Sequence, residues 1–214
     1  RAGARKVIAY RAKSESSKKW IERQLSDPYV QKAKSEGFRA RAAYKLIELN
    51  EQAKLLRPGI RVVDLGCAPG GWLQVCVNHK VKELVAIDLL EVEPVPGAFI
   101  VQGDINSEED VAQMMTGLSG PPELVLSDMA ANTTGHKQTD SLRTAALADM
   151  ALDFADRNLV PGGAVCSKVF QGGATPEMMA RLKHLFKSVK HIKPPASRSG
   201  SPELFVAAKG YRGR

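Results

Sequence analysis

Short apolar runs alternate with helical stripes along most of the chain. Val62, Val63 and Leu65 form a β-branched run after Pro58-Gly59, and Leu84 to Ile87, Ala98 to Val101, Leu124 to Leu126 and Ala164 to Cys166 repeat the pattern. Runs this short and this apolar are expected of strands buried on both faces of a parallel sheet. Between them lie stripes at helical spacing. Ala43, Leu46, Ile47 and Ala53 mark a helix from Arg39 to about Leu56, closed by Arg57-Pro58-Gly59. Trp72 to Val77 forms another. Leu147, Met150, Ala151, Phe154 and Ala155 share one face of a third. Met178, Met179, Leu182, Leu185 and Phe186 stripe a fourth, capped by Thr175-Pro176-Glu177. Asp27-Pro28 opens a shorter helix that stops near Gly37. Val189 to Ile192 and Leu204 to Ala208 are expected as the final strands. Strand and helix in alternation predict an α/β fold. Residues 1–18, rich in Ser, Lys and Arg, read as a mobile basic arm. Trp20, Ile21 and Leu25 are then the first apolar anchors of a single domain, residues 19–214.

The stretch Arg61 to Trp72 carries the first chemical signal. A strand ends at Gly66, Pro69-Gly70-Gly71 turns the chain, and a helix begins, which is the entry of a nucleotide-type βα unit. A tight turn with no ligand has the same pattern. A dinucleotide site would need Gly-x-Gly-x-x-Gly, but Cys67-Ala68-Pro69 stands between Gly66 and Gly70. Pro69 has no N–H to offer a pyrophosphate. Asp64, inside the strand end, suits a cationic amino group better than a phosphate. Asp88 follows the second strand, 24 positions after Asp64, about where nucleotide folds hold a ribose. Asp104 follows the third strand and Asp128 the fourth. Either Asp88 or Asp104 alone has the residue type of a helix cap. Acids repeated at the carboxyl ends of parallel strands point instead to a ligand there. Lys168 ends the fifth strand, where an unpaired lysine is rare. Lys45 lies beside the core face of its helix, and Glu203 stands at the start of the last strand.

Charge adds a partner to this picture. Residues 1–45 hold 13 Lys/Arg against 4 Asp/Glu, residues 46–180 hold 9 against 18, and residues 181–214 hold 9 against 1, summing to +8. Basic tails are commonly just solvated. If the fold brings both ends to one face, they make a phosphate-binding surface beside an acidic pocket. Cys67, Cys76 and Cys166 lack any Cys-x-x-Cys spacing, so neither a metal nor a disulfide framework is expected. No apolar run has the length of a membrane span. A cytoplasmic monomer is expected, with a mitochondrial presequence remnant at the Arg-rich start as the less favoured alternative.

These residues together resemble the RrmJ/FtsJ family of RNA 2′-O-ribose methyltransferases, from about Trp20 to Gly210. The strongest matches are Asp64-Leu-Gly-Cys-Ala-Pro-Gly-Gly-Trp72, Ser127-Asp-Met-Ala130, Lys168-Val-Phe-Gln-Gly172 and Ser201-Pro-Glu-Leu204. The resemblance implies a Rossmann-like sheet of seven strands, mostly parallel, with the last antiparallel. It implies a catalytic set on Lys45, Asp128, Lys168 and Glu203. Contacts to S-adenosylmethionine would fall on Gly66, Gly70, Trp72, Asp88, Asp104 and Asp128, with no metal. The implied substrate is a uridine ribose in the A loop of large-subunit ribosomal RNA, within the large ribosomal subunit. Family members acting on transfer RNA or messenger RNA caps share the set, so the set alone does not choose among them. A non-catalytic ribosome-assembly factor would share the basic surface but not the set. Two positions depart from the family pattern: Cys67 stands where Ala is frequent, and Ala131 where Pro is usual.

Methyl transfer from a sulfonium to a ribose hydroxyl needs in-line positioning and removal of one proton. Lys168 is the expected base, oriented by Asp128, with Lys45 and Glu203 fixing the hydroxyl. A neutral lysine needs a lowered pKa. Lys45 nearby would lower it, whereas Asp128 and Glu203 would raise it.

Overall fold

A computed structural model describes residues 15–131, 134–170 and 174–214. Its centre is a seven-stranded sheet: β1 (Arg61–Leu65), β2 (Glu83–Asp88), β3 (Phe99–Gln102), β4 (Leu124–Ser127), β5 (Ala164–Val169), β6 (Phe186–Ile192) and β7 (Leu204–Tyr211). The strand order is β3-β2-β1-β4-β5-β7-β6. Only β7 runs antiparallel to its neighbours, and it is inserted between β5 and β6. The α/β architecture and the antiparallel last strand are as expected from the sequence.

Alternation along each strand divides two cores. Val62, Leu84, Leu124, Cys166 and Phe205 face α3 (Ala42–Ala53) and α4 (Gly71–Asn78). Val63, Val85, Val125, Val165 and Val206 face α5 (Glu108–Met115), α6 (Lys137–Asn158) and α7 (Pro176–Leu185). Helices on both faces explain why the strands read as unbroken apolar runs. Burial of these side chains removes apolar surface worth roughly 25 cal/mol per Å². The first crossovers lead outward through β2 and β3, and the chain then returns to β4 on the other side of β1. At that reversal the loops after β1 and β4 diverge and leave a crevice at the carboxyl edge.

Three local features differ from expectation. Helix α1 (Glu15–Ser26) begins inside the expected arm, and residues 1–14 lie outside the described residues. No residue of α1 is buried; Trp20 and Leu25, expected as anchors, are 60% and 67% exposed. The amphipathic pattern was real, but the sheet's apolar faces are covered by other helices. Helix α5 is an unanticipated element. Its signal was present, since the Ser107 hydroxyl accepts the Asp110 N–H and Glu108, Glu109 and Asp110 fill the first turn. Phe186 belongs to β6 rather than to the last helix: the chain turns extended there, and the ring packs against Tyr211 across the β6–β7 pair. Helix α2 (Pro28–Glu36) has the expected Asp27 cap and Gly37 stop.

Candidate active site

The turn between β1 and α4 forms the floor of the crevice. Gly66 has φ +75° and Gly70 φ +114°, a region that side chains with a Cβ rarely adopt. A Cβ on Gly66 would also collide with Met129, and one on Gly70 would come within 2.9 Å of the Arg39 guanidinium. The Met129 side chain after β4 and the Arg39 side chain from just before α3 thus press against the turn. The first N–H groups of α4 receive no side-chain cap, which leaves donors for a ligand. Trp72 turns its indole away from the crevice: its Nε1 donates to Ala42 O at 2.8 Å and its ring lies 5.9 Å from that of Phe205. Its expected role toward a cofactor therefore rests on its backbone, while its side chain ties α4 to α3. Arg39 adds a second tie. Its guanidinium donates to Pro69 O, Glu93 O and Pro94 O at 3.1, 2.5 and 2.7 Å, joining the glycine turn to the loop after β2. Sequence reading missed Arg39, because nothing in a lone arginine before a helix announces three carbonyl partners.

Above the turn is a cleft of about 400 Å³. Gly66, Asp88, Asp104 and Asp128 line it, together with the apolar Ile105, Met129, Leu147 and Met150. Leu147 and Met150, expected in the core, are half-buried and give the cleft its apolar wall. The Asp88 carboxylate accepts Ala68 N at 2.8 Å and Leu90 N at 2.9 Å, and so fixes the loops on both sides. Asp104 accepts Asn106 N at 2.9 Å, while its own N–H is held by Asp110. A wall with three carboxylates disfavours a pyrophosphate and suits amino and hydroxyl donors. Asp64 does not join them. It is 1% exposed, lines no part of the cleft, and among the described residues neither of its oxygens has a hydrogen-bond partner. Burial, with Asp128 and Asp88 nearby, raises its pKa well above the usual carboxylate value. Asp64, whose carboxylate suits a cationic amino group by sequence, thus stands behind the cleft wall and not in it.

At the cleft's inner end the four residues Lys45, Asp128, Lys168 and Glu203 meet. Strand alternation explains how. Asp128 follows Leu126 by two, Lys168 follows Cys166 by two, and Glu203 precedes Phe205 by two, so all three share the face that α3 covers. Helix α3 supplies Lys45. Because β7 is antiparallel, its beginning lies at the carboxyl end of β5, with Lys168 opposite Phe205. Lys168 Nζ stands 3.0 Å from Asp128 Oδ1 and 3.3 Å from Glu203 Oε2; Lys45 Nζ stands 2.6 Å from Glu203 Oε1. Ser197 Oγ donates to the same Glu203 oxygen at 2.8 Å. Burial alone would lower the Lys168 pKa, but Asp128 and Glu203 outweigh it and raise it. Burial alone would raise that of Glu203, but Lys168 and Lys45 bring it down to about 2. At rest Lys168 is a cation.

The set forms a partition. Asp128 lines the cleft, whereas Lys45 and Glu203 line a second groove of about 640 Å³ on the other side. Arg23, Arg41 and Arg198 complete that groove. The two basic ends of the sequence therefore do converge, though only in part. Lys190 and Lys209 donate to Gln52 O, Ala53 O and Lys54 O at the end of α3, and Arg181 pairs with Asp153 and Asp156. Cys67, Cys76 and Cys166 are free and buried, and burial raises the pKa of each. No helix among the described residues is long and apolar enough to cross a membrane.

The family model of FtsJ-like methyltransferases matches residues 38–211. A protein of Hyphomonas neptunium named ribosomal RNA large subunit methyltransferase E is 64% identical over 212 residues, covering 99% of this chain and 91% of its own length. Another of that name from Sphingopyxis alaskensis is 54% identical, with 98% and 91% covered. Among solved structures, a ribosomal RNA methyltransferase of Plasmodium falciparum superposes with a TM-score of 0.73 at 29% identity, covering 83% of this chain and 100% of its own.

Two outcomes follow from the geometry. A carboxylate with a depressed folded-state pKa stabilises above its ordinary value and loses that contribution as pH falls through the folded one. The Glu203 contribution, on the order of 3 kcal/mol, is thus lost between its ordinary pH 4.5 and about pH 2. In denaturant titrations, the stability gap between wild type and Glu203→Gln narrows below pH 4.5; an equal gap at pH 7 and pH 3 contradicts the pairing. Arg39→Lys cannot reach three carbonyls from one ammonium. Amide exchange should accelerate at residues 70–73 and at Glu93, Val95 and Gly97 while the central strands keep their protection. Unchanged exchange in both loops counts against the tie.

Proposed function

The chain belongs to the FtsJ-like methyltransferase family, and from that premise we propose that it methylates a ribose 2′-hydroxyl in large-subunit ribosomal RNA, using S-adenosylmethionine. The observation that carries this reading is the partition: four charged residues separate an acid-walled cleft from an arginine-walled groove, and every one is within an ion pair of the next. A cofactor on one side and an RNA strand on the other meet across Lys168. A uridine of the A loop is the target that the resemblance favours. The ribosomal setting agrees with a cytoplasmic protein. Residues 1–18 serve as an arm adding phosphate contacts, with residues 15–18 forming the first turn of α1.

The residues present suit S-adenosylmethionine. Gly66, Gly70 and the N–H groups at the start of α4, Trp72 included, would hold its amino-acid end. Asp88 would take the ribose hydroxyls, Asp104 the adenine edge, and Ile105 and Met150 the adenine faces. When bound, this cofactor supplies a methyl group on a sulfonium, whose neutral thioether is a good leaving group. Lys168 removes the hydroxyl proton as the methyl–oxygen bond forms. Lys45, held by Glu203, lies on the groove side to orient the oxygen. Asp128 has a double duty, because it lines the cleft and also holds the proton on Lys168. A second cation beside Asp128 weakens its hold, so Lys168 becomes a base when the cleft contains positive charge.

Methyl transfer onto ribosomal subunits, intact ribosomes, naked ribosomal RNA and transfer RNA, with the modified ribose mapped, tests the reading. Large-subunit ribosomal RNA should carry the mark. Transfer to transfer RNA alone would reassign the substrate, and RNA binding without transfer would favour an assembly factor. Lys168→Arg keeps the ion pairs but offers no neutral base, and it should slow the chemical step by roughly two to four orders of magnitude. In wild type that step should accelerate with rising pH, approaching tenfold per unit below the Lys168 pKa. A flat profile from pH 7 to 9 with near-normal Lys168→Arg turnover would remove Lys168 from the role of base.

A further inference from the structure

The groove beside the catalytic set contains a feature that catalysis itself does not use. Asp27 caps α2 through one carboxylate oxygen, which accepts the Tyr29 N–H at 2.9 Å. Its other oxygen holds two arginines from opposite ends of the sequence, Arg41 Nε at 2.8 Å and Arg198 Nη2 at 3.0 Å. Arg41 is fixed further: its Nη2 donates to Ala196 O at 2.7 Å and its guanidinium lies 5.3 Å from the Tyr29 ring centre. Asp27 is 9% exposed by its side chain, against 17% for Arg41 and 36% for Arg198, so the carboxylate lies behind and the guanidinium edges lie in front. Both arginines line the groove, whereas Asp27 does not.

The charges facing the groove are unequal. Arg23, Arg41, Arg198 and Lys45 line it, and among the described residues Glu203 is the one acid that does so; that acid is already matched by Lys45 and Lys168. An arginine uses at most two or three of its five N–H donors on protein partners here, which leaves a fork free on each. Forked N–H pairs fit two oxygens of a phosphodiester.

Resting on the proposed activity, we infer that Arg41 and Arg198 form a clamp for one RNA backbone phosphate beside the target ribose, and that Asp27 is the positioning residue that aims them. The clamp shares its groove with Lys45 and Glu203, so a phosphate in it fixes the neighbouring ribose against the catalytic set. Asp27 neutralises part of the clamp's charge and still favours binding, because it holds two flexible side chains in one geometry before RNA arrives.

This role predicts a result opposite to simple charge counting. Asp27→Asn keeps the helix cap and adds one unit of positive charge. If charge alone mattered, RNA would bind more tightly. With the clamp disordered, binding to a naked large-subunit ribosomal RNA transcript should weaken several-fold. Arg41→Gln and Arg198→Gln should each raise the RNA KM about tenfold and reduce the slope of log affinity against log salt by roughly one. S-Adenosylmethionine affinity, by calorimetry, should stay at the wild-type value in all three. Arg198→Lys covers the case of a poorly folding Gln variant: it keeps the salt slope but should share the raised KM, since an ammonium lacks the fork. Tighter RNA binding by Asp27→Asn, or a wild-type salt slope and KM in the Arg198 variants, overturns the clamp. Wild-type methyl transfer alongside that result leaves the proposed activity standing. Absence of wild-type transfer to any RNA, with the salt slopes changed as expected, refutes the activity and leaves the phosphate site.

Discussion

The carboxyl edge of the sheet is organised around four charges that must stay together. Lys45, Glu203, Lys168 and Asp128 alternate in sign, and each is largely withdrawn from water. Two lysines and two acids cancel formally, so the group as a whole is neutral while each member alone would be costly to bury. Removing Glu203 leaves Lys45 without its partner in the set, and removing Lys168 does the same to Asp128, in a place of low polarity. The fold meets this constraint by drawing the four from β4, β5, β7 and α3, elements that are locked by the main core. An antiparallel β7 is necessary to the arrangement. A parallel strand in that position would deliver its carboxyl end, rather than Glu203, to the same edge.

Neutrality at rest also makes the site responsive. Lys168 is held protonated by two carboxylates, which is the wrong state for accepting a proton. One of those carboxylates belongs equally to the cleft. Positive charge in the cleft therefore acts on Lys168 through Asp128, without any movement of the backbone. Occupation of the cleft and the proton affinity of Lys168 become linked, and the link is electrostatic rather than conformational. Arg39 and Trp72 supply the stiffness that this requires, since they fasten the glycine turn to the helix that carries Lys45.

The sequence revealed the sheet because its strands are buried on both faces, where apolar runs are hard to mistake. Strand patterns and turn residues place Asp128, Lys168 and Glu203 at strand ends, whereas their grouping with Lys45 came from the family resemblance. Other features stayed hidden for physical reasons. Trp72 could be placed at the start of its helix, but only coordinates show that its indole points to Ala42 O and Phe205. Asp64 could be placed at a strand end, but not its burial without a partner, which raises its pKa. Trp20 and Leu25 carried a helical pattern, but amphipathicity does not say whether a covering surface remains free. Arg39 and Asp27 act through partners far along the chain, and no local pattern encodes a contact across 55 or 171 positions.

The position of β7 between β5 and β6 has a consequence for the order in which the protein matures. Lys45 is made early, and its partner Glu203 follows 158 residues later. While the chain is being synthesised, β1 to β5 can pair in sequence, but the flank of β5 stays open until both later strands have emerged. During that interval Lys168 has Asp128 beside it and lacks Glu203, and Lys45 has no acid of the set at all. A half-made chain can thus hold a formed sheet without a working centre. Activity arrives as a last act of assembly, when one hairpin closes the sheet and completes the charge pattern together.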